Sequence, residues 1–435
     1  MCLTKLAHLS LLPPQSAVVP GASASILRRI VDLYTRLPYP ILDPSRTYLD
    51  NPRLTTITAV ERVMTHWYFK PTDHQKVYFR QGATQHLRNS EFTRWVSLVG
   101  KSIIGSFLTG DVTRKQFHNT CIEDIEGSLK RELALDLAPH EMCDRRRAWV
   151  HVSLMKTLLI HSSNTYQLLR RVTPAFLQVA YSNPTLWSSD SDLTRIPLLR
   201  LLASGSHELA YFVLIDSTFA LASGLRQHAE YDTTIHPRPS NPSLHQWAPG
   251  SPIDLLSVLA DINACRDKSP AARHWKEIEQ QLLTWQSRPS EHAFTESWMT
   301  IAWYAVQESW RLSLLIYLYL AVCDAPSDDP RIQAYVKQIL QVVRTLKEPG
   351  ASDANASLFS QYLMVGICAR RESHRKIARE KLAHANETKF WLRVIRASDF
   401  VPVLDHLWHG AAAGGRPVRW SDYVHSREAV FPVAL

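Results

Sequence analysis

The sequence predicts an all-α fold: one large, irregular domain of packed antiparallel helices with no substantial sheet. Three observations predict it. Almost every apolar segment repeats at intervals of three and four residues, the spacing of one helix face. Glycine is scarce, with 14 in 435 residues, while Leu, Ala, Arg and Gln, all good helix formers, abound. Finally, apolar and polar residues never alternate for long enough to make a substantial strand, and no fixed-period repeat marks a solenoid.

The elements follow in order, punctuated by proline. A helix over Ile26–Leu37 ends at Pro38-Tyr39-Pro40, and one over Leu54–Lys70 stops at Pro71. Ser90 is placed to cap Glu91–Leu108, where Phe92, Val96, Val99, Ile103 and Phe107 share a face. Cys121–Leu137 and Asp144–His161 follow, then Asn164–Tyr181, kinked at Pro174. Ile196–Ala203 and Ser206–Ala222 form a helical pair jointed at Ser204-Gly205, with Ser206 as the cap of the second. Ile253–Cys265 and Ala271–Trp285 come next.

Phe294–Val322 carries the strongest periodic signal. Trp303, Val306, Trp310, Leu314, Tyr317 and Ala321 form one face and Leu312, Leu315, Ile316 and Tyr319 a second. A helix apolar on most sides is buried among others. Its apolar run is too short to cross a membrane, and Gln307, Glu308 and Arg311 lie just upstream. Asp329-Pro330 opens the next helix as a cap followed by proline in the first turn. Leu358–Ala369, Ser373–His384, Phe390–Arg396 and Phe400–His409 complete the series, before a glycine-rich stop and a polar, aromatic tail.

Two segments fall outside this helical pattern. Residues 1–25 read as a disordered leader or linker; the run Leu6–Leu12 imitates a signal peptide but contains His8 and stops at Pro13-Pro14. The proline-rich stretch Glu230–Pro252 is the longest break and the candidate boundary between two lobes. Residues 26–435 are then one helical domain.

The formal net charge of +9 permits a polyanionic partner without requiring one. The six cysteines are scattered singly, which excludes a zinc ribbon, a zinc finger or a clustered disulfide framework and suits a reducing compartment. Cys323 and Cys368 read as small core hydrophobes.

Each candidate for chemistry has a structural reading that outweighs it. Gly410–Pro417 keeps the glycine spacing of a phosphate loop, but Arg416 and Pro417 stand where Lys and Ser/Thr belong, and it follows a helix rather than a strand. A helix stop fits better. His406 and His409, beside Asp405, have metal-ligand spacing without a recognisable third ligand. Ser204–His207 brings Ser and His together without the nucleophile-elbow pattern. Asp216 and Glu208 are acid–base candidates only if the fold brings other groups to them.

Arg145-Arg146-Arg147 and Arg370–Arg396, the latter with nine Lys/Arg against three Asp/Glu, offer basic faces for phosphates or an acidic partner, or simply for solvent. Trp298–Trp310 lines either an apolar cavity or the core. No residue is assigned a catalytic, cofactor-binding or metal-binding role.

Six segments carry a resemblance: ASGSHELAYFVLIDSTFAL, SPIDLLSVLADINACRDKSPAARHW, FTESWMTIAWYAVQESWRLSLLIYLYLAVC, DDPRIQAYVKQILQVV, QYLMVGICARRESHRKI and the tail from Asp399. In order and spacing, across roughly Ile26–Val433, they resemble the fungal-specific transcription factor domain, in a form like that of basidiomycete fungi. The resemblance implies a non-catalytic regulatory domain, a nuclear location and control of RNA polymerase II transcription. It implies transcriptional co-regulators as partners, with a homodimer and a small apolar effector as further candidates, and no membrane. In the family, DNA is read by a binuclear zinc cluster of closely spaced cysteines. Here no two cysteines are closer than the 22 positions between Cys121 and Cys143, so that cluster is missing. Zinc is expected only in such an N-terminal cluster, and DNA contact is expected to be indirect or through a separate N-terminal module, with residues 1–25 as the remains of a linker. A helical enzyme with an apolar pocket and a helical interaction scaffold remain the rival readings. The enzyme would need facing acidic metal-binding motifs, and Asp328-Asp329-Pro330 is the nearest approach.

Overall fold

The computed structural model describes residues 113–187, 192–234, 251–287, 294, 296–346, 358–384 and 395–433, with scattered positions between 68 and 106. The expected leader 1–25, the helix over Ile26–Leu37, most of that over Leu54–Lys70, and residues 235–250 and 390–394 lie outside the described residues. Val96, Val99 and Ile103, three residues of the face expected on Glu91–Leu108, are helical and buried.

The described residues form thirteen α-helices and one two-stranded pair. The helices are α1 Lys115–Leu133, α2 Pro139–Met155, α3 Thr165–Tyr181, α4 Leu198–Ala203, α5 His207–Ser223, α6 Ile253–Arg266 and α7 Trp275–Thr284. They continue as α8 Ser297–Ala321, α9 Pro330–Val343, α10 Phe359–Cys368, α11 Glu372–His384, α12 Val401–His409 and α13 Trp420–Val430. The fold is all-α, as its periodicity predicts.

A short connection returns α2 along α1. Arg145 pairs with Glu132 at 2.5 Å, while Lys156, just past the end of α2, reaches back to Glu126 on α1. Helix α3 then packs on α2 and runs on through Pro174. Proline lacks the donor that would reach the carbonyl four residues back, yet the helix continues on both sides of it.

Helix α5 is the axis. Sixteen of its 17 residues are buried, and it packs against α2, α3, α6 and α10. Helix α8 is the second buried element; it packs along α9 and also meets α6, α7 and α10. Its 25 residues include buried Ser309, Ser313 and Gln307, and among the described residues no helix is long and apolar enough to cross a membrane. Asp329 caps α9 as the sequence predicts: its carboxylate accepts the Arg331 amide at 2.9 Å, and the Arg331 side chain holds its pKa below the usual carboxylate value.

Three elements depart from the sequence reading. Ile196–Pro197 (β1) is not helical but pairs in parallel with Tyr231–Asp232 (β2), inside the break expected over Glu230–Pro252. Two residues are too few for any alternating pattern to show. The second departure is the tail, which is not a polar extension: it folds as α13. Thirdly, Ser206 precedes α5 and its carbonyl accepts the Ala210 amide, but its hydroxyl makes no cap bond and is buried without a partner.

Candidate functional site

The last carbonyls of any helix lack partners within it. In α5 that end is buried, so those carbonyls must be satisfied by groups from elsewhere. Three side chains far away in sequence do so. Arg266, at the end of α6, donates to Leu225 O, just past the helix, at 2.5 Å, and adds a bond at 2.7 Å to Ala220 O, which also accepts the Gly224 amide. Arg427 on α13 donates to Ser223 O at 2.8 Å, and the Tyr423 hydroxyl donates to Ala222 O.

Helix α8 joins through Tyr317. Its hydroxyl accepts from Arg266 at 2.7 Å and donates to Asn263 Oδ1 at 2.7 Å, and Asn263 Nδ2 donates to Ser217 O at 3.1 Å. Asp267 neutralises Arg266 through both carboxylate oxygens, at 2.8 and 2.9 Å. Trp420 packs edge-on to Tyr317 with ring centroids 5.2 Å apart. Burial pushes the Tyr317 phenol up to about 12 and holds the Arg427 guanidinium below its usual pKa.

A second buried group lies nearer the middle of α5. Asp216 is 1% exposed and accepts from the His228 amide at 3.0 Å, from His228 Nδ1 at 2.9 Å and from the Tyr231 hydroxyl at 3.0 Å. Tyr166 of α3 packs on the imidazole at 4.3 Å. The other ring nitrogen, Nε2, is buried with no hydrogen-bond partner. The carboxylate orients the ring as in a base-orienting pair, and the His228 side chain is only 7% exposed.

The network at the end of α5 thus draws in α6, α8 and α13. The model of one protein family, described as fungal specific transcription factor domain, matches residues 209–432, which span this network and more than half of the chain. The chain belongs to the fungal-specific transcription factor domain family. No curated protein and no solved structure matches it. All six quoted segments fall in or overlap the matched span, which begins in α5 rather than near Ile26.

Within this family domain the sequence candidates find structural work. His409 Nδ1 lies 2.6 Å from Asp405 O, and Asp405 pairs with Arg379 at 2.5 Å. Among the described residues no three His, Cys, Asp or Glu side chains converge as a metal site. The loop Gly410–Arg416 turns carbonyls, not amides, toward its charged neighbours. Arg416 donates to Gly410 O at 2.9 Å, Arg375 to Ala412 O at 2.6 Å and Arg370 to Gly415 O at 3.0 Å. That polarity is opposite to a phosphate cradle.

Both basic clusters are partly consumed internally. Arg145 pairs with Glu132, and Arg147 lies 3.8 Å from buried Glu208. Arg375 is buried on backbone carbonyls, and Arg396 lies 3.9 Å from Asp399. Glu208 and Asp216 lie in separate groups, Glu208 facing α2 and Asp216 facing His228. Trp303 and Trp310 are core residues. Beside them Leu283, Trp285, Tyr304, Glu308 and Arg311 line a shallow pocket of about 400 Å³. Its Glu308–Arg311 pair is bidentate at 2.6 and 2.8 Å, which makes the pocket polar on one side.

The residues missed from sequence are Arg266, Asn263, Tyr317, Tyr423 and Arg427. They lie up to 204 positions from their partners. Trp420, Tyr423, Val424 and Arg427 do stand at helical spacing, and that spacing was the available signal; a buried arginine in place of an apolar residue hides it.

Proposed function

We propose that the chain acts as a non-catalytic regulatory domain in the nucleus, controlling RNA polymerase II transcription through protein contacts. The observation that carries this reading is the family match over residues 209–432. The site's geometry supports it: the polar groups that converge, around Arg266 and around Asp216, are spent on helix ends and on each other inside the core. Asp329, the residue closest to an enzyme-like acidic motif, is occupied as a helix cap. Control would be exerted by a rigid helical scaffold that presents a surface to transcriptional co-regulators or to a second copy of the chain. A small apolar effector would have the pocket beside Trp285 and Tyr304 to enter. The six separated cysteines supply no zinc cluster, so DNA contact in this reading comes indirectly or through a separate module.

The test is a tethered reporter. The chain fused to an unrelated sequence-specific DNA-binding domain should change transcription of a reporter carrying that domain's site, and a fluorescent fusion should concentrate in fungal nuclei. No change in output at equal protein level would remove the regulatory reading.

A further inference from the structure

The start of α11, with the two residues before it, carries a feature that the regulatory reading does not use. Arg370, Arg371, Glu372 and Ser373 are four consecutive exposed residues, following buried Ala369. Two arginines, at three and two positions before a serine, form the basic approach that arginine-directed protein kinases grip with carboxylates, which sets the hydroxyl against the γ-phosphate of ATP. Thr173 also follows two arginines, Arg170 and Arg171, but it lies in the middle of α3 with its hydroxyl bonded back to Leu169 O, whereas Ser373 is exposed in the first turn of α11.

The surroundings of Ser373 suit the product as well. Arg371 lies beside it, and Arg344, also exposed, closes the end of α9. Among the described residues neither arginine has a carboxylate partner. His374 follows Ser373 directly. Its ring is held below the usual histidine value first by burial, then by repulsion from Arg371 and Arg344. Glu372 does not offset this group, because its carboxylate is turned toward Arg375 at 3.9 Å.

We propose that Ser373 is a phosphorylation site for an arginine-directed protein kinase, and that its neighbours Arg371 and His374, at the start of α11, receive the phosphate. In the transfer, Ser373 Oγ forms the new bond to the γ-phosphorus of ATP. The bond from that phosphorus to the β,γ-bridging oxygen breaks, ADP leaves, and the hydroxyl proton passes to the kinase's catalytic carboxylate. A charge of about −1.5 to −2 then replaces a neutral hydroxyl. It offsets the positive charge of Arg371 and favours the protonated form of His374. The 3.0 Å bond from Arg370 to Gly415 O is exposed, so a kinase can exchange it for its own carboxylates.

The experiment uses the full chain, ATP and the catalytic subunit of a cyclic-AMP-dependent kinase, with phosphate mapped by mass spectrometry. Phosphate is expected at Ser373, absent in Ser373→Ala, and incorporated about tenfold or more slowly in Arg371→Ala, the loss of one charge-assisted contact. In the phosphorylated chain the His374 resonance should titrate at higher pH than in the unmodified chain. Two results would overturn the proposal: Ser373 unmodified while a peptide spanning Arg370–Ser373 is labelled, or Arg371→Ala labelled at the wild-type rate. An unmoved His374 titration in phosphorylated chain would remove its receiving group.

Discussion

Replacing Gly224 tests the junction between α5 and α13 most sharply, because two separable costs meet there. Gly224 ends α5 with φ +72°, in the left-handed region, and a Cβ added to it would lie 2.9 Å from Val424 Cγ2 on α13. The left-handed backbone alone costs a residue with a side chain about 1–2 kcal/mol. Forcing a methyl into a packed contact with a stiff β-branched partner adds about 1–3 kcal/mol. Gly224→Ala should therefore destabilise by roughly 2–5 kcal/mol, a sizeable share of a domain's stability. A control lies within the same chain: Gly205 has φ +71° but nothing within 4 Å of an added Cβ. Gly205→Ala should show the backbone cost alone, about 1–2 kcal/mol.

The assay is urea unfolding of the single variants and of Gly224→Ala combined with Val424→Ala. Shortening Val424 should return the contact share and leave the backbone share, a favourable coupling of about 1–3 kcal/mol in the double-mutant cycle. Equal losses for Gly205→Ala and Gly224→Ala, or additivity within about 0.5 kcal/mol, would refute the close approach of α13 to the end of α5.

Other outcomes follow from the same network. Arg266→Ala removes the bonds to Ala220 O and Leu225 O and leaves the largely buried Asp267 carboxylate unpaired, so it should cost about 3–5 kcal/mol and lower the yield of folded chain. Burial holds the phenols of Tyr211 and Tyr317 near about 12, above their ordinary value. Their contribution is complete below pH 10 and disappears as pH rises through 12; tyrosinate absorbance should appear together with loss of helical circular dichroism. Asp329 has the opposite sign, its pKa being lowered chiefly by Arg331. Its cap is fully present above the ordinary carboxylate value and fades as pH falls through the depressed one. Asp329→Ala should cost about 0.5–2 kcal/mol at neutral pH, and less in acid, by urea unfolding. His406→Ala with His409→Ala, on the exposed end of α12, should shift stability by no more than about 0.5 kcal/mol.

Helices whose buried faces are apolar were legible in the sequence. Helix α8 shows its two faces as Trp303–Ala321 and Leu312–Tyr319, and α9 its start as Asp329-Pro330. Helix α13 was not legible, since one of its buried positions is Arg427, 3% exposed, whose charge reads as surface until Ser223 O is brought to it. The β1–β2 pair escaped because pairing over two residues depends on Ile196 and Tyr231 meeting in space. Much the same holds for the site. Glu208 and Asp216 stood out as acids in an apolar helix, but their neighbours Arg147 and His228 are fixed by the fold. Arg266 reads from sequence as a solvated charge beside Asp267, although together they hold the end of the central helix. The family was legible in phrases such as ASGSHELAYFVLIDSTFAL because a segment buried on nearly all sides must satisfy several neighbours at once.

Helix α5 is the axis of the family domain, and α13 closes its end. Amide hydrogen exchange along α5 in Arg427→Met tests it, since methionine retains an apolar stem without the guanidinium. Leaving Ser223 O bare in a buried site costs about 1–3 kcal/mol, so exchange over the last turn of α5, Phe219–Leu225, should quicken roughly 5- to 150-fold. Exchange in α7, Trp275–Thr284, should stay as it is. Unchanged protection over Phe219–Leu225 in Arg427→Met would contradict the account.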